Sequence, residues 1–113
     1  MQDPVFVIGL FLLMGVVFVG LGLPLKYEKI PPNWFYGFRT PKTLSSKEIW
    51  YPINRIAGID MVRTGTVMIT ASLLLLALRG LIAPVTSMFI LLAIGVGMTA
   101  WMLIHGFSVL RRM

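Results

Sequence analysis

Few side chains in this sequence could carry out covalent or acid–base chemistry. Its 113 residues include one histidine, no cysteine and four carboxylates. A catalytic triad of Ser45 or Ser46 with His105 and Asp60 has no spacing that brings its members together. A metal site of His105, Asp60 and Glu48 lacks a recognisable ligand spacing. The sequence therefore predicts a protein that is not an enzyme and that binds no metal or cofactor.

The histidine is nevertheless a candidate for a polar contact inside the membrane. His105 is the only ionisable residue in the run from Leu81 to Leu110, and ionisable groups within membrane spans are costly and often functional. It lies about 9 Å along a helix from Arg111, a depth that could bring it near Asp60 or Arg63. The two alternative roles of His105 are a structural hydrogen bond and a proton-sensitive contact.

Two arginines form a second candidate group. Arg39 and Arg55 both lie close to aromatic residues, where a guanidinium can stack on a ring or bind a carboxylate or phosphate through two hydrogen bonds. The alternative role is attraction of anionic lipid headgroups. We hypothesise that Arg39 or Arg55 pairs with Asp60 and locks the loop onto the membrane helices.

The composition places these residues in a membrane protein. Hydrophobic residues make up 58% of the chain, charged residues 12%, and the mean hydropathy is +0.89, whereas soluble domains have about 45–50% apolar and about 25% charged residues. The net charge of +6 comes from basic residues clustered beside apolar segments. That pattern indicates contact with the lipid bilayer, including anionic lipid, and argues against nucleic acid.

The hydrophobic runs predict an all-α membrane protein, in which residues 1–113 form a single three-span domain. The first span covers about residues 5–25, begins at Asp3 and Pro4, and is retained as an anchor. The uninterrupted run from Thr64 to Leu78 gives only about 22 Å of helix, so the second span is extended to about residues 56–78. The third covers about residues 84–110, and a short turn makes it an antiparallel hairpin with the second.

The loop between the first two spans, residues 30–58, is expected to be ordered. Ser45 and Glu48 match a capping box, which predicts an interfacial amphipathic helix that leads into the second span. Pro52 is expected to kink that helix. Small residues within the spans permit close packing of the helices; they are Gly15, Gly20, Ala93, Gly97 and Ala100.

The distribution of basic residues predicts the orientation. Nine of the ten lie in the long loop and its flanks or at the C-terminus, and the tenth is Arg79 in the short turn. The positive-inside rule then places the loop and C-terminus in the cytoplasm and the N-terminus outside.

The loop also resembles the signature of a known family. The SdpI family of small bacterial membrane proteins carries an N-x3-G-[hydrophobic]-R-T-P-x-T-L segment, then a Trp and an Arg-x2-Gly, after one span and before two more. The matching residues in this sequence are Asn33, Gly37, Phe38, Arg39, Thr40, Pro41, Thr43, Leu44, Trp50, Asn54, Arg55 and Gly58. This resemblance implies that Arg39, Thr40, Trp50 and Arg55 are functional determinants without a catalytic role.

The resemblance further implies an all-helical protein of the bacterial cytoplasmic membrane, of the immunity type. Such a protein would protect its cell by binding a membrane-active toxin peptide within the membrane. One alternative is an accessory subunit of a larger membrane complex. Another is a small transporter or channel formed by a homo-oligomer, although the spans show no polar stripe that would mark a pore.

Overall fold

The computed structural model describes residues 4–33 and 36–113. These residues form four helices and their connecting turns, with no strand in the part described: α1 (Pro4–Lys26), α2 (Pro41–Leu44), α3 (Lys47–Ala77) and α4 (Pro84–Arg111). The prediction of an all-α protein is confirmed. Asp3, expected to cap the first helix, lies outside the described residues.

Three of the helices are long and apolar enough to cross a membrane. They are α1, α3 and α4, with 23, 31 and 28 residues. At about 1.5 Å of rise per residue, each exceeds the roughly 30 Å of a bilayer core. The chain is therefore a multi-pass membrane protein.

The helices α1 and α3 pack most closely because glycines oppose each other at their interface. A Cβ added at Gly15 would lie 2.8 Å from the backbone oxygen of Gly65, and one at Gly22 would lie 2.7 Å from that of Gly58. The two pairs are each seven residues apart and run in opposite directions along the chain. The helices are therefore antiparallel, at a separation that only glycine permits.

The other predicted small residues do not serve this contact. Gly20 and Gly97 have no heavy atom within 4 Å of an added Cβ, and Ala93 is exposed. The prediction of close packing is thus right for Gly15 and wrong for these three. Hydrophobic periodicity did not reveal which face of α4 meets its neighbours.

The third long helix, α4, joins the α1–α3 pair through a short turn over residues 78–83. Near this turn Ile8, Leu75 and Leu91, one from each long helix, form a buried apolar cluster. We call this end of the bundle the hairpin end. The opposite end, where α1 stops and α3 starts, is the loop end.

The helix that contains the second membrane span starts at Lys47, before the expected start of that span at about residue 56. The predicted interfacial helix and second span are one continuous helix, α3, which begins at Lys47 and passes through Pro52. Its N-cap is Ser46, whose hydroxyl accepts from the backbone N–H of Glu48 at 3.1 Å. Ser45 was the wrong choice of cap, because its hydroxyl donates to the Lys42 carbonyl at 2.6 Å and ends α2.

Candidate functional site

The segment between α1 and α3, residues 27–46, folds over the loop end of the bundle, and we call it the loop cap. Its turn onto α3 depends on Gly37, which has a φ of +112°, a conformation that favours glycine. A Cβ there would also lie 2.7 Å from the side-chain oxygen of Asn54. The glycine is thus required both by its backbone conformation and by the available space.

Asn54 fastens this turn to α3. It is 2% exposed, and its side-chain oxygen accepts from the backbone N–H of Phe38. Its amide donates to the carbonyls of Trp50 at 3.0 Å and Phe38 at 3.4 Å. Trp50 is fully buried, and its indole N–H donates to the Ile30 carbonyl at 2.8 Å. Two side chains of α3 therefore satisfy backbone groups of the loop cap that would otherwise lack partners.

The threonines of the motif build the short helix α2. The Thr40 hydroxyl accepts from the Thr43 N–H at 3.1 Å, and the Thr43 hydroxyl accepts from the Thr40 N–H at 2.7 Å. This is a reciprocal capping box, and Pro41 occupies the first helical position, where its missing N–H costs nothing. Asn33 forms a local turn by accepting from the Tyr36 N–H at 2.8 Å.

The loop cap also holds the end of α4. The Phe38 ring packs edge-on against Phe107, with centroids 5.0 Å apart, and it fills the space that a side chain at Gly106 would need. The Lys42 ammonium donates to the Leu110 carbonyl in the last turn of α4 at 2.9 Å, and the same carbonyl accepts from the Met113 N–H at 3.1 Å. The C-terminal turn of α4 and the loop cap thus lie at the same end of the bundle.

The two arginines of the motif differ in placement from its buried members. Arg39 and Arg55 are both exposed, while Thr43, Trp50, Asn54 and Gly58 are buried. Arg39 lies beside an open cleft of about 550 Å³ bordered by Thr40, Pro41, Leu44 and Ser45. The buried members lie where the loop cap meets α3, whereas Arg39 is exposed on the loop cap and Arg55 is exposed on α3.

Asp60 meets a different partner from the one hypothesised. Its side-chain oxygens lie 2.6 Å from His105 Nδ1 and 4.0 Å from the Arg63 guanidinium. The proposed lock between Asp60 and Arg39 or Arg55 is therefore wrong. The reason is that Asp60 faces α4, where His105 joins the second and third long helices.

A lateral groove opens between α1 and α4 in the middle of the bundle. It has a volume of about 440 Å³ and an almost entirely apolar lining, formed by Phe11, Met14, Phe18, Met68, Leu92, Gly95, Val96, Thr99, Ala100 and Leu103. Met68 of α3 is buried at its floor, whereas Met14 and Val96 are 44% and 67% exposed at its edges. The groove therefore opens on the side of the bundle and suits apolar groups.

Several residues of this region were not singled out from the sequence. Lys42 connects the loop cap to α4, and Gly22 and Gly65 complete the close contact of α1 with α3. The equal seven-residue spacing of glycines in two antiparallel spans was a usable signal for that contact. No comparable signal marks a lysine that caps a distant helix.

Among the described residues, no group of three or more histidine, cysteine, aspartate or glutamate side chains could hold a metal ion. The loop cap and the membrane helices together define an all-helical, multi-pass membrane protein. Its candidate site consists of the loop cap, held by hydrogen bonds to backbone groups, and the apolar lateral groove. A family model, described as the SdpI/YfhL protein family, matches residues 29–106. The chain belongs to this family, which confirms the resemblance.

The matched region covers the loop cap, α3 and most of α4, and it begins after the end of α1. The family is not a known enzyme family. No match was found among curated proteins or among solved structures.

Proposed function

We propose that this protein protects a bacterial cell against a membrane-active peptide by binding the peptide in the lateral groove, without catalysis. Membership of the SdpI/YfhL family supports the immunity role. The lateral groove is the observation that supports this mode of binding. The groove has an apolar lining and is open at the side of the bundle, so a peptide already dissolved in the membrane would reach it laterally.

The chemistry of the lining favours a peptide over a polar solute. Apolar and aromatic side chains bind through shape and dispersion contacts. Within the membrane, the association of helices depends on such packing and on small residues at the contact. Gly95 and Ala100 lie in the α4 wall of the groove, where they leave room for the side chains of an inserted helix.

A substitution that fills the groove tests this proposal. Ala100→Phe places a ring in the groove, whereas Ala93→Phe, on the same helix, adds the same ring at an exposed position outside the lining. Cells producing the protein are challenged with a panel of membrane-active peptides, and the inhibitory concentration of each peptide is measured. We expect the unmodified protein and Ala93→Phe to raise it several-fold for at least one peptide, and Ala100→Phe to abolish the increase.

Two results would contradict the proposal. One is an unchanged inhibitory concentration for every peptide when the unmodified protein is produced. The other is full protection by Ala100→Phe at an equal amount of protein in the membrane.

We further infer that the protein lies in the cytoplasmic membrane with the loop cap and C-terminus inside. Nine of ten basic residues belong to the loop side or the C-terminus, and the Lys42–Leu110 contact supports their position at one end. The chain has no cysteine, so single cysteines can be introduced as reporters. On intact cells, an impermeant thiol reagent should label Gly80→Cys but not Ser45→Cys; the reverse pattern would refute this orientation.

A further inference from the structure

The contact between the buried Asp60 and the partly exposed His105 is an acid–base pair that the proposed function does not use. Asp60 is 1% exposed, and its Oδ2 lies 2.6 Å from His105 Nδ1. Its other oxygen, Oδ1, has no hydrogen-bond partner among the described residues. A carboxylate of this kind is costly inside a low-dielectric bundle unless it is paired or takes up a proton.

The surroundings of Asp60 provide little compensation for its charge. The Arg63 guanidinium lies 4.0 Å from Oδ1, but its side chain is 65% exposed. On α1 the only charged residue is Lys26, whose ammonium lies over the Tyr27 ring at 5.3 Å. From α4, His105 faces the carboxylate, and no ion pair joins Asp60 to a described residue of the loop cap.

A second polar group lies one turn along the same helix without a partner. Thr64 is fully buried, and its hydroxyl makes no hydrogen bond to a described residue. The nearby Thr66 shows the ordinary alternative, because its hydroxyl donates to the Val62 carbonyl at 2.7 Å. Side chains four residues apart share one helix face, so Asp60 and Thr64 together form an unsatisfied polar patch within the bundle.

His105 connects this patch to the outside. Its side chain is 35% exposed, and one face of the ring stacks on Trp101 with a centroid distance of 5.2 Å and an angle of 10°. An imidazole can accept a proton at one nitrogen and release one from the other. Nδ1 contacts Asp60, so Nε2 is the nitrogen available to water.

We propose that Asp60 and His105 form a proton-binding site inside the bundle, loaded from water at the loop end. A hydronium ion gives its proton to Nε2 of the neutral imidazole, and the N–H bond at Nδ1 breaks as that proton passes to Oδ2 of Asp60. One water molecule is left behind. The charge of the pair changes from minus one to zero, the carboxyl becomes neutral, and the imidazole ends as the Nε2–H tautomer. Release of the proton follows the same steps in reverse.

The chain offers a direct test because His105 is its only histidine. The full-length protein, with ¹⁵N-labelled histidine and placed in lipid nanodiscs, is titrated from pH 9 to pH 5 by nuclear magnetic resonance. We expect the hydrogen-bearing nitrogen to change from Nδ1 to Nε2 as the pH falls. In Asp60→Asn the tautomer change should be lost, because no carboxylate is left to take the proton from Nδ1. A neutral imidazole that keeps one tautomer throughout, or an imidazolium in the unmodified protein, would overturn the proposal.

A second measurement remains informative if Asp60→Asn does not fold. Infrared difference spectra of the unmodified protein should show a protonated carboxyl band that grows as the pH falls. In His105→Gln this band should lose its dependence on pH over the same range, while Glu48→Gln, an exposed carboxylate substitution, should leave it unchanged. A carboxyl band that still changes with pH over this range in His105→Gln, or a pH-dependent band that disappears in Glu48→Gln, would refute the assignment to the pair.

Discussion

Gly37 determines how the loop cap turns onto α3. Its positive φ and the nearby Asn54 oxygen leave no room for a side chain. We expect Gly37→Ala to lower the free energy of unfolding by about 1–3 kcal/mol, the usual cost of a strained backbone position. Reversible unfolding in detergent micelles measures this change.

Gly97→Ala is the matched control for that substitution. Gly97 lies within α4 with no heavy atom within 4 Å of an added Cβ. Alanine should be neutral or should stabilise the helix by up to about 1 kcal/mol. Equal stabilities of the two variants would show that Gly37 is not under the constraint that we describe.

Tyr36, also in the loop cap, gives a pH-dependent prediction. Burial raises the pKa of its hydroxyl above the ordinary value of about 10, and the hydroxyl has no hydrogen-bond partner among the described residues. The folded state therefore favours the neutral phenol. This contribution is fully present below about pH 10 and is lost as the pH rises through the raised pKa.

Tyr36→Phe should therefore reduce the loss of stability above about pH 10, with little effect at neutral pH because no hydrogen bond is removed. Alkaline unfolding curves of the two proteins measure the difference, and tyrosinate absorbance locates the ionisation. Identical curves would contradict the assignment of this pH dependence to Tyr36.

At the scale of elements, the close contact between α1 and α3 organises the bundle. A Cβ at Gly58 would lie 2.5 Å from both the Gly22 carbonyl oxygen and the Lys26 nitrogen. These are backbone atoms, so the helices must separate to admit a methyl group. We expect Gly58→Ala to destabilise the fold by about 1–3 kcal/mol, measured by thermal unfolding in detergent.

Gly20→Ala serves as the control within the same helix pair, because nothing lies within 4 Å of its added Cβ. It should have no unfavourable effect on the melting temperature. If Gly58→Ala melts at the same temperature as Gly20→Ala, the glycine contact does not set the helix separation.

The sequence predicted the existence of the long helices better than their boundaries. Apolar runs identify spans because a membrane helix must satisfy its backbone internally. The predicted cap of α3 was wrong by one residue: Ser45 matched a capping box by pattern, but Ser46 is the cap, while Thr40 and Thr43 form the capping box of α2. Local patterns cannot show which of several cap residues the tertiary contacts select.

For the candidate site, the sequence indicated some of the residues but not the contacts that they make. The motif named Gly37, Trp50 and Asn54, which lie together where the loop cap meets α3. The hydrogen bonds of Asn54 to Phe38 and of Trp50 to Ile30 were not predictable, because they join residues 16 and 20 positions apart. For Asp60, the depth of His105 along its helix had indicated that the two residues could lie close together, and the structure contains this contact; the alternative pairing of Asp60 with Arg39 or Arg55 was wrong.

At the scale of the whole molecule, the groove results from the way α4 is attached. At the hairpin end α4 joins the Ile8–Leu75–Leu91 cluster, and at the loop end it is held by Phe38, Lys42 and Asp60. Between these attachments, α1 and α4 diverge enough to leave an apolar space. The loop cap would thus maintain a binding surface that lies deeper in the membrane.

Photo-crosslinking tests peptide binding in this groove most directly. A photoreactive amino acid is placed at Ala100, in the groove, or at Ala93, outside its lining, and cells are exposed to a labelled peptide against which the protein protects. We predict a covalent protein–peptide product from position 100 and little or none from position 93. Equal capture at both positions, or capture only at position 93, would contradict the groove as the binding site.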